Sequence, residues 1–246
     1  MIKEILRTFI FFIGSIIYQR NNSKIIYYHD IHKDDFPCYT SMSTPLSLFD
    51  KHINIIHKKK YKIVDRITNF QKEIVIAFDD GFKGIWDNRS YFINNHIHPT
   101  IFIANDLIGT KGYLTKEQIL ELQQNGFIFQ SHTFSHRPLT SLNEAEIDFE
   151  LKESKCKLEE ILSENVSEIC FPQGLYNNLI RNKCNEANYT KMYSSIPGDY
   201  YEKNADGVIF RYFAQSLSPT QFSLMLKGGM KILRNHYWRL HKREMV

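Results

Sequence analysis

The stretch VIAFDDGF, residues 75–82, joins four apolar residues to two adjacent carboxylates, Asp79 and Asp80. The apolar run has the composition of the end of a buried strand. Neighbouring side chains on a regular strand point to opposite faces, so the two aspartates can serve one site only where the strand ends and bends. The alternative is an acidic turn that uses Asp80 before Gly81. The surrounding sequence decides between these two interpretations.

Short β-rich runs alternate with helical patterns on both sides of this stretch. The predicted strands are 25–28, 61–64, 74–78, 100–104, 127–130, 168–171, 191–194 and 208–212. Capping-box patterns predict helix starts at Thr115 with Gln118 and at Ser141 with Glu144. This alternation is typical of one α/β domain with a mainly parallel sheet, open or closed into a barrel. In both forms functional groups gather at the C-terminal ends of the strands.

Polar residues follow four of the predicted strands. They are His29 with Asp30, Asp79 with Asp80, His132 with His136, and the turn Pro172-Gln173-Gly174. Two imidazoles and one carboxylate form a plausible ligand set for a divalent metal. One aspartate can then bind the metal while the other stays free as a general base for water, and the cation offsets the repulsion between the two carboxylates. The histidine spacing suits either one helical turn or a tight loop.

Two motifs make the sequence similar to a known family. Phe78-Asp79-Asp80-Gly81 and His132-Thr133-Phe134-Ser135-His136 resemble motifs of the polysaccharide deacetylases, the NodB-homology or carbohydrate esterase family 4 proteins. The similarity runs from about residue 25 to residue 212. It implies a single-domain, distorted (β/α)7 TIM-like barrel and metal-dependent hydrolysis of N-acetyl groups on amino sugars. It also implies that Asp80, His132 and His136 hold the metal, usually zinc, with cobalt, nickel or manganese as alternatives, and that Asp79 is the base.

The early "YYHDI" motif resembles one branch, the poly-N-acetylglucosamine deacetylases. In that branch a "YH" near the start of the domain supplies the catalytic acid, which would be His29 here. A polar residue at a strand end, without a catalytic role, is the alternative interpretation of His29.

The third family motif is altered, because "CFPQG" has Gln173 where the family has tyrosine. The family uses the backbone N–H at this position to stabilise the oxyanion, and the substitution keeps that donor. Pro172, Gln173 and Gly174 are therefore the predicted oxyanion and substrate-binding turn. The arginine that pairs with the base aspartate in many members is also absent from this motif. Arg211, in the late strand "IFRYF", is the predicted substitute, with a surface arginine as the alternative.

The N-terminal segment suggests contact with a membrane surface. The basic C-terminal segment is interpreted first as a solvated amphipathic helix, with contact with an anionic membrane surface or a glycan as the alternative. Residues 8–19 are twelve uncharged residues, too few to span a bilayer, and a signal-like segment, an interfacial anchor and a buried helix all remain open. The predicted organisation is an apolar segment over 1–22, the deacetylase domain over 23–216 and a basic amphipathic helix over 217–246. We expect an N-acetylated glycan as partner and a location at the cell envelope, with the cytoplasm as the alternative.

The overall charge and the altered motif limit the other functions. The net charge is +4 and no basic stripe lies outside the C-terminal segment, so we expect no nucleic-acid partner. Two alternatives to N-deacetylation stay open. One is an O-acetyl esterase acting on a glycan, which the altered third motif allows. The other is a non-catalytic glycan-binding relative, in which the free base aspartate would have no use.

Overall fold

A computed structural model describes residues 2–36, 38–202 and 206–242 of the 246-residue chain. The last four residues of the basic segment predicted over 217–246, and the first residue of the apolar segment predicted over 1–22, lie outside the described residues. Among the described residues, no helix combines the length and the apolar character needed to cross a bilayer.

Ten short strands lie in two sheets in the described part of the chain, and all the pairs between these strands are parallel. The main sheet has the order β10-β1-β5-β6-β7-β8-β9, with β4 paired to the first half of β5, and β2 pairs with β3. The strands are β1 (Lys24–Tyr28), β2 (Asp30–His32), β3 (Ser43–Pro45), β4 (Lys62–Ile63), β5 (Glu73–Phe78), β6 (Thr100–Ile103), β7 (Ile128–Ser131), β8 (Glu168–Cys170), β9 (Lys191–Tyr193) and β10 (Tyr212–Phe213).

The main sheet curls into a partial barrel whose two edges approach each other. Tyr193 of β9 pairs with Ile209, three residues before β10, and Tyr212 of β10 pairs with Ile26 of β1. Seven strands therefore follow one another around the curl, which confirms the predicted single-domain TIM-like α/β fold. The last predicted strand, 208–212, is divided between these two pairings and is shorter than expected.

Helices cover the outside of the curled sheet. They are α1 (Ile2–Ile17), α2 (Leu46–Lys58), α3 (Gly84–Asp87), α4 (Arg89–Asn94), α5 (Lys116–Gln124), α6 (Glu144–Leu162), α7 (Asn178–Glu186), α8 (Pro219–Leu226) and α9 (Arg234–Lys242). The basic segment is not the single helix that the sequence predicted, because a 3-10 helix, Gly229–Leu233, separates α8 from α9.

Helix capping agrees with the sequence at one predicted start and differs at the other. Thr115 and Gln118 form the predicted capping box of α5. The box predicted at Ser141 is wrong, since α6 is capped by Asn143 with Glu146. The reason is local: Leu139–Ser141 form a 3-10 turn, so the helix starts after it.

Strand β5 shows how the fold positions the site. Val75 and Ala77 face a small cluster inside the curled sheet, whereas Ile76 and Phe78 belong to the large cluster between the sheet and the helices. Continuing this alternation by one step directs Asp79 into the mouth of the partial barrel.

Candidate active site

Asp79 and Asp80 lie at the bend that their position after a buried strand predicts. Asp79 continues from β5, and its N–H donates to the carbonyl of Tyr28 at 3.0 Å. Asp80 has a φ of +72° and Gly81 a φ of +80°, so the chain turns sharply at this point. Both carboxylates are buried, with 3% and 5% exposure. The bend therefore allows two neighbouring side chains to face one site.

The two histidines of the second motif meet Asp80. The Nε2 atoms of His132 and His136 lie 3.3 Å and 3.0 Å from Asp80 Oδ1. The residues between them form a loop rather than a helical turn, with left-handed φ angles of +68° at Thr133 and +63° at His136. The ligand atoms of the three side chains all lie within 4.8 Å of one another.

This group fits a divalent metal on the chemistry of its donors. Asp80 Oδ1 is buried and, apart from its contacts with the two Nε2 atoms, has no hydrogen-bond partner among the described residues. His132 Nδ1 lies 2.7 Å from the carbonyl oxygen of Cys170, so Nδ1–H donates there and Nε2 keeps its lone pair. Burial alone would raise the pKa of Asp80, but the two imidazoles hold that pKa well below its usual range. The carboxylate is thus ionised and ready to bind a cation.

A second group, Asp79 with His132 and Cys170, is as compact but does not fit a metal as well. Both oxygens of Asp79 already accept hydrogen bonds from Arg211. Burial raises the pKa of the Cys170 thiol well above its usual value, so the thiol stays protonated. Asp80, His132 and His136 are therefore the residues that we assign to the metal.

Arg211 is buried against Asp79. Its Nη1 and Nη2 atoms donate to Asp79 Oδ1 and Oδ2, each at 2.8 Å, and its Nε donates to the carbonyl of Ser194 at 3.2 Å. The guanidinium lies 4.1 Å from the centre of the Tyr27 ring. Burial would raise the pKa of Asp79, but the charge and hydrogen bonds of Arg211 lower it below its ordinary value. Arg211 thus keeps Asp79 as a carboxylate, the state that a general base requires.

His29 lies at the same end of the sheet, directly after β1. Its Nδ1 is 2.9 Å from Gln215 Oε1, so Nδ1–H donates to the amide oxygen and Nε2 is left for other contacts. The edges of the Tyr27 and Phe213 rings flank the imidazole, at centroid distances of 5.9 Å and 5.8 Å. Gln215 was not among the residues predicted from the sequence. The signal was nevertheless present, because Gln215 is a polar residue that follows the last strand.

The turn Pro172-Gln173-Gly174 follows β8. The last residue of β8 is Cys170, whose carbonyl accepts the hydrogen bond from His132. Gln173 has a left-handed φ of +57°, and its side chain is exposed. Gly174 has a φ of +74°, and a Cβ there would lie 2.5 Å from the backbone nitrogen of Ser195. Only glycine therefore fits at this position. The exposed Gln173 side chain occupies the place where the resemblance leads us to expect a tyrosine ring.

Glu150, on α6, holds the histidine loop in place and was not selected from the sequence. Its buried carboxylate accepts hydrogen bonds from the N–H groups of Phe134 and Ser135 at 2.9 Å and 2.8 Å, and from the Ser135 hydroxyl. Glu150 lies in a helix rich in charged residues, where a glutamate is expected to face solvent. No local pattern therefore predicts that it holds the histidine loop.

The fold and the site together define an α/β barrel protein with a two-histidine, one-aspartate group beside an ion-paired aspartate. This combination suits metal-assisted hydrolysis. The polysaccharide deacetylase family model matches residues 66–192, more than half of the 246 residues. The chain therefore belongs to the polysaccharide deacetylase family.

Relatives of known sequence or structure agree with this membership. The protein YxkH of Bacillus subtilis, named for the same family, is 25% identical over 185 residues, which cover 71% of this chain and 64% of YxkH. The Streptococcus pyogenes deacetylase PplD, solved in complex with acetate, matches with a TM-score of 0.72 and 21% identity over 83% of this chain and 98% of its own. IcaB from Ammonifex degensii matches with a TM-score of 0.74 and 15% identity over 85% and 98%. These two structures show that the fold is shared.

Proposed function

We propose that this chain hydrolyses N-acetyl groups on amino-sugar residues of a poly- or oligosaccharide, with a divalent metal at Asp80, His132 and His136. One observation carries the proposal: a second carboxylate, Asp79, lies beside the ligand group and is kept ionised by Arg211 instead of serving as a ligand. A glycan-binding module needs no such base. Membership of the deacetylase family supports the same reaction.

Several residues of the chain take part in the proposed hydrolysis, each with a separate role. A divalent cation, with zinc as our first choice, supplies Lewis-acid activation of water and of the acetyl carbonyl. Asp79 accepts a proton from the water as the water attacks the carbonyl carbon. The bidentate contact with Arg211 keeps the carboxylate oriented through this step and stabilises its ionised form before the transfer.

The leaving group and the oxyanion are assigned to residues that follow two different strands, β1 and β8. His29 acts in its doubly protonated form: Nδ1–H is held by Gln215, and Nε2–H gives its proton to the departing amine nitrogen, which leaves the ring neutral. The backbone N–H of Gln173 is the proposed donor to the oxyanion. The C–N bond then breaks, and acetate and the free amino sugar leave.

An O-acetyl esterase is the second candidate, because Gln173 replaces the tyrosine and its exposed amide changes the sugar site. An N-acetylated glycan is the proposed substrate, whether polymeric or lipid-linked. Such a substrate favours action at the cell envelope, with the cytoplasm as the alternative.

Acetate release from N-acetylglucosamine oligomers and from O-acetylated glycans tests the proposal directly. We expect release from the oligomers, its loss after treatment with a chelator and its recovery on addition of zinc. Release from the O-acetylated glycan alone would assign the esterase activity instead. Release from neither substrate by the metal-loaded protein would reject both.

Metal content gives a test that does not depend on the substrate. His136→Gln should lower the bound zinc measured by elemental analysis. The surface histidine His98, paired with Asp65 at 3.2 Å, offers a matched control, and His98→Gln should leave the zinc content unchanged. Equal zinc in both variants would contradict the assigned ligand set.

A further inference from the structure

Helix α1 carries an apolar face that the rest of the described chain leaves uncovered. Ile5, Phe9, Phe12 and Ile16 follow the spacing of one helical face, and Leu6 and Ile17 flank them. All six side chains are between 52% and 63% exposed. Single exposed apolar residues are normal on a protein surface, but a continuous stripe along a whole helix marks an interaction surface. We call these six residues the apolar face of α1.

The opposite face of α1 is fixed to the barrel, so the apolar face cannot turn inward. Phe11 is buried. A Cβ on Gly14 would lie 2.2 Å from the carbonyl oxygen of Gly229, which shows how closely the helix packs on the 3-10 helix Gly229–Leu233. Gln221 of α8 donates to the Thr8 hydroxyl at 2.9 Å. These contacts hold α1 in one orientation and keep its apolar face towards solvent.

The apolar surface extends beyond α1 itself. A shallow groove between α1 and α8 is lined by Ile5, Phe9 and Phe12 on one side. On the other side it is lined by Leu224 together with the polar residues Ser218, Thr220 and Gln221. Leu224 is only partly buried. The uncovered surface is therefore wider than one row of side chains, and both helices present it on the same side of the domain.

Positive charge borders this surface. Lys3 and Arg20 are exposed near the two ends of α1. Glu4 is the only acidic residue of α1, and it pairs with Arg7 at 3.1 Å. The segment 227–242, which includes α9, contains basic residues and no acid, and Arg239 is exposed on it. An apolar helical face with a basic border is the pattern that binds anionic lipid surfaces.

The charge around the face favours an anionic membrane over a second copy of this chain. A second copy would bring the same basic side chains, Lys3 and Arg20, towards each other, whereas an anionic lipid surface attracts them. The helix is also shorter than the roughly 20 residues that cross a bilayer. We propose that the apolar face of α1 docks this domain in the plane of an anionic bilayer surface.

This docking places the catalytic mouth close to the bilayer. Arg7, near the N-terminal end of α1, donates to the carbonyl of Ser216 at 2.9 Å. Ser216 follows Gln215, whose side chain holds His29. The docked helix thus begins beside the strand ends that carry the site.

Co-sedimentation of the full chain with lipid vesicles tests the proposal. We expect the protein to sediment with phosphatidylcholine vesicles that contain phosphatidylglycerol. The double variant Phe9→Glu/Phe12→Glu should reduce the bound fraction at least tenfold, because it places two carboxylates on the apolar face. Leu179→Glu is the matched control: Leu179 is a 40% exposed apolar residue on α7, and its variant should bind like the unmodified chain. Thermal unfolding of all three proteins checks that they remain folded.

Two results would overturn the proposal. The first is failure of the unmodified chain to sediment with the anionic vesicles, or equal losses for Leu179→Glu and the double variant. The second is a dimer in sedimentation equilibrium that Phe9→Glu/Phe12→Glu dissociates, together with no binding to vesicles, since this would assign the apolar face to a second copy. Neither readout requires the hydrolase activity, so the docking and the proposed function can fail independently.

Discussion

The two ends of the barrel both bury aspartate next to basic side chains, yet they do so differently. At the N-terminal end of the strands, Asp199 accepts from Asn22, Lys231 and the Tyr212 hydroxyl at 3.0 to 3.1 Å, and Lys24 lies 3.1 Å away. Both carboxylate oxygens have hydrogen-bond partners. The group is buried, paired and hydrogen-bonded, as a structural ion cluster must be.

At the C-terminal end, Asp80 keeps a buried oxygen that, apart from its contacts with the two imidazoles, has no hydrogen-bond partner among the described residues. The backbone there is also unusual, with left-handed φ angles at Asp80, Thr133, His136 and Gln173. Left-handed φ angles also occur at the other end, as at Lys72 directly before β5, so they do not separate the two ends. Burial and charge alone do not identify a site either. A buried carboxylate oxygen that is free to bind a ligand distinguishes the mouth from the structural end.

The largest expected effect concerns Asp79, whose two oxygens both accept hydrogen bonds from Arg211. Asp79→Asn should lower kcat for deacetylation by about 10²- to 10⁴-fold, because the amide cannot accept the proton from water. Zinc content should stay unchanged, since the ligands are Asp80 and the two histidines. Acetate release and elemental analysis on the same preparation measure both quantities. Deacetylation at the original rate by Asp79→Asn would show that another group is the base.

The second prediction contrasts stability at the two ends. Asp199→Asn removes the charge that compensates Lys24 and Lys231, both buried, and should lower the free energy of unfolding by about 3 kcal/mol. Asp80→Asn, measured on metal-free protein, should cost less than Asp199→Asn, because among the described residues Asp80 compensates no buried lysine and faces only the two imidazoles. Urea unfolding of each variant gives the two values.

A surface pair provides the control for this contrast. Asp65 pairs with His98 at 3.2 Å, with both side chains partly exposed, so Asp65→Asn should change the free energy of unfolding by less than about 1 kcal/mol. A loss for Asp80→Asn as large as that for Asp199→Asn would remove the distinction between a ligand-binding end and a structural end.

Local patterns in the sequence predicted much of this architecture. The strands were placed within one or two residues wherever apolar runs ended in polar residues, as at β5 and β7. The last strand was less accurate, because its residues divide their pairing between two edges of the sheet, which a local pattern cannot reveal. The capping box at Ser141 was wrong for a similar reason. A 3-10 turn and a second cap with the same spacing, at Asn143, lie only two residues away.

The candidate site was predictable where its chemistry is carried by compact motifs, as at Asp79 and His132. Arg211 was predicted as a substitute for the arginine that is absent from the third motif, and in the structure it pairs with Asp79. Gln215 and Glu150 were not found. Gln215 acts on His29 across 186 positions of the chain, and Glu150 binds backbone N–H groups of another segment. Such contacts depend on the tertiary fold and leave no periodic signal.

The third prediction concerns His52, a buried histidine that lies at neither end of the barrel. His52 Nδ1 accepts from the Tyr28 hydroxyl at 3.0 Å, and its Nε2–H donates to the carbonyl of Leu217 at 2.9 Å, so the ring is neutral. Burial lowers the pKa of His52 from 6.5 to about 4. Above pH 6.5 neither the folded nor the unfolded state is protonated. As the pH falls from 6.5 to 4, the unfolded chain binds the proton first, and stability decreases by up to about 3 kcal/mol.

Unfolding titrations between pH 7 and pH 4 measure this decrease. His52→Gln can still accept from a hydroxyl and donate to a carbonyl, but it does not titrate. The variant should therefore lose less stability than the unmodified chain over this range. Parallel curves for the two proteins would show that His52 titrates normally in the folded state. Any loss of stability in acid would then have to come from the ionisable groups at the two ends of the barrel.

The smallest expected effect tests how the mouth orients its acid. Gln215→Leu removes the acceptor that holds His29 Nδ1, so the imidazole can take the other tautomer or rotate. We expect kcat to fall by about 10-fold with little change in KM, because one oriented hydrogen bond contributes about 1 kcal/mol. Gln215→Glu keeps an acceptor at this position and should retain most of the activity. If Gln215→Glu were as impaired as Gln215→Leu, the residue would matter for packing and not for orientation. His29 would then owe its position to the aromatic rings of Tyr27 and Phe213 alone.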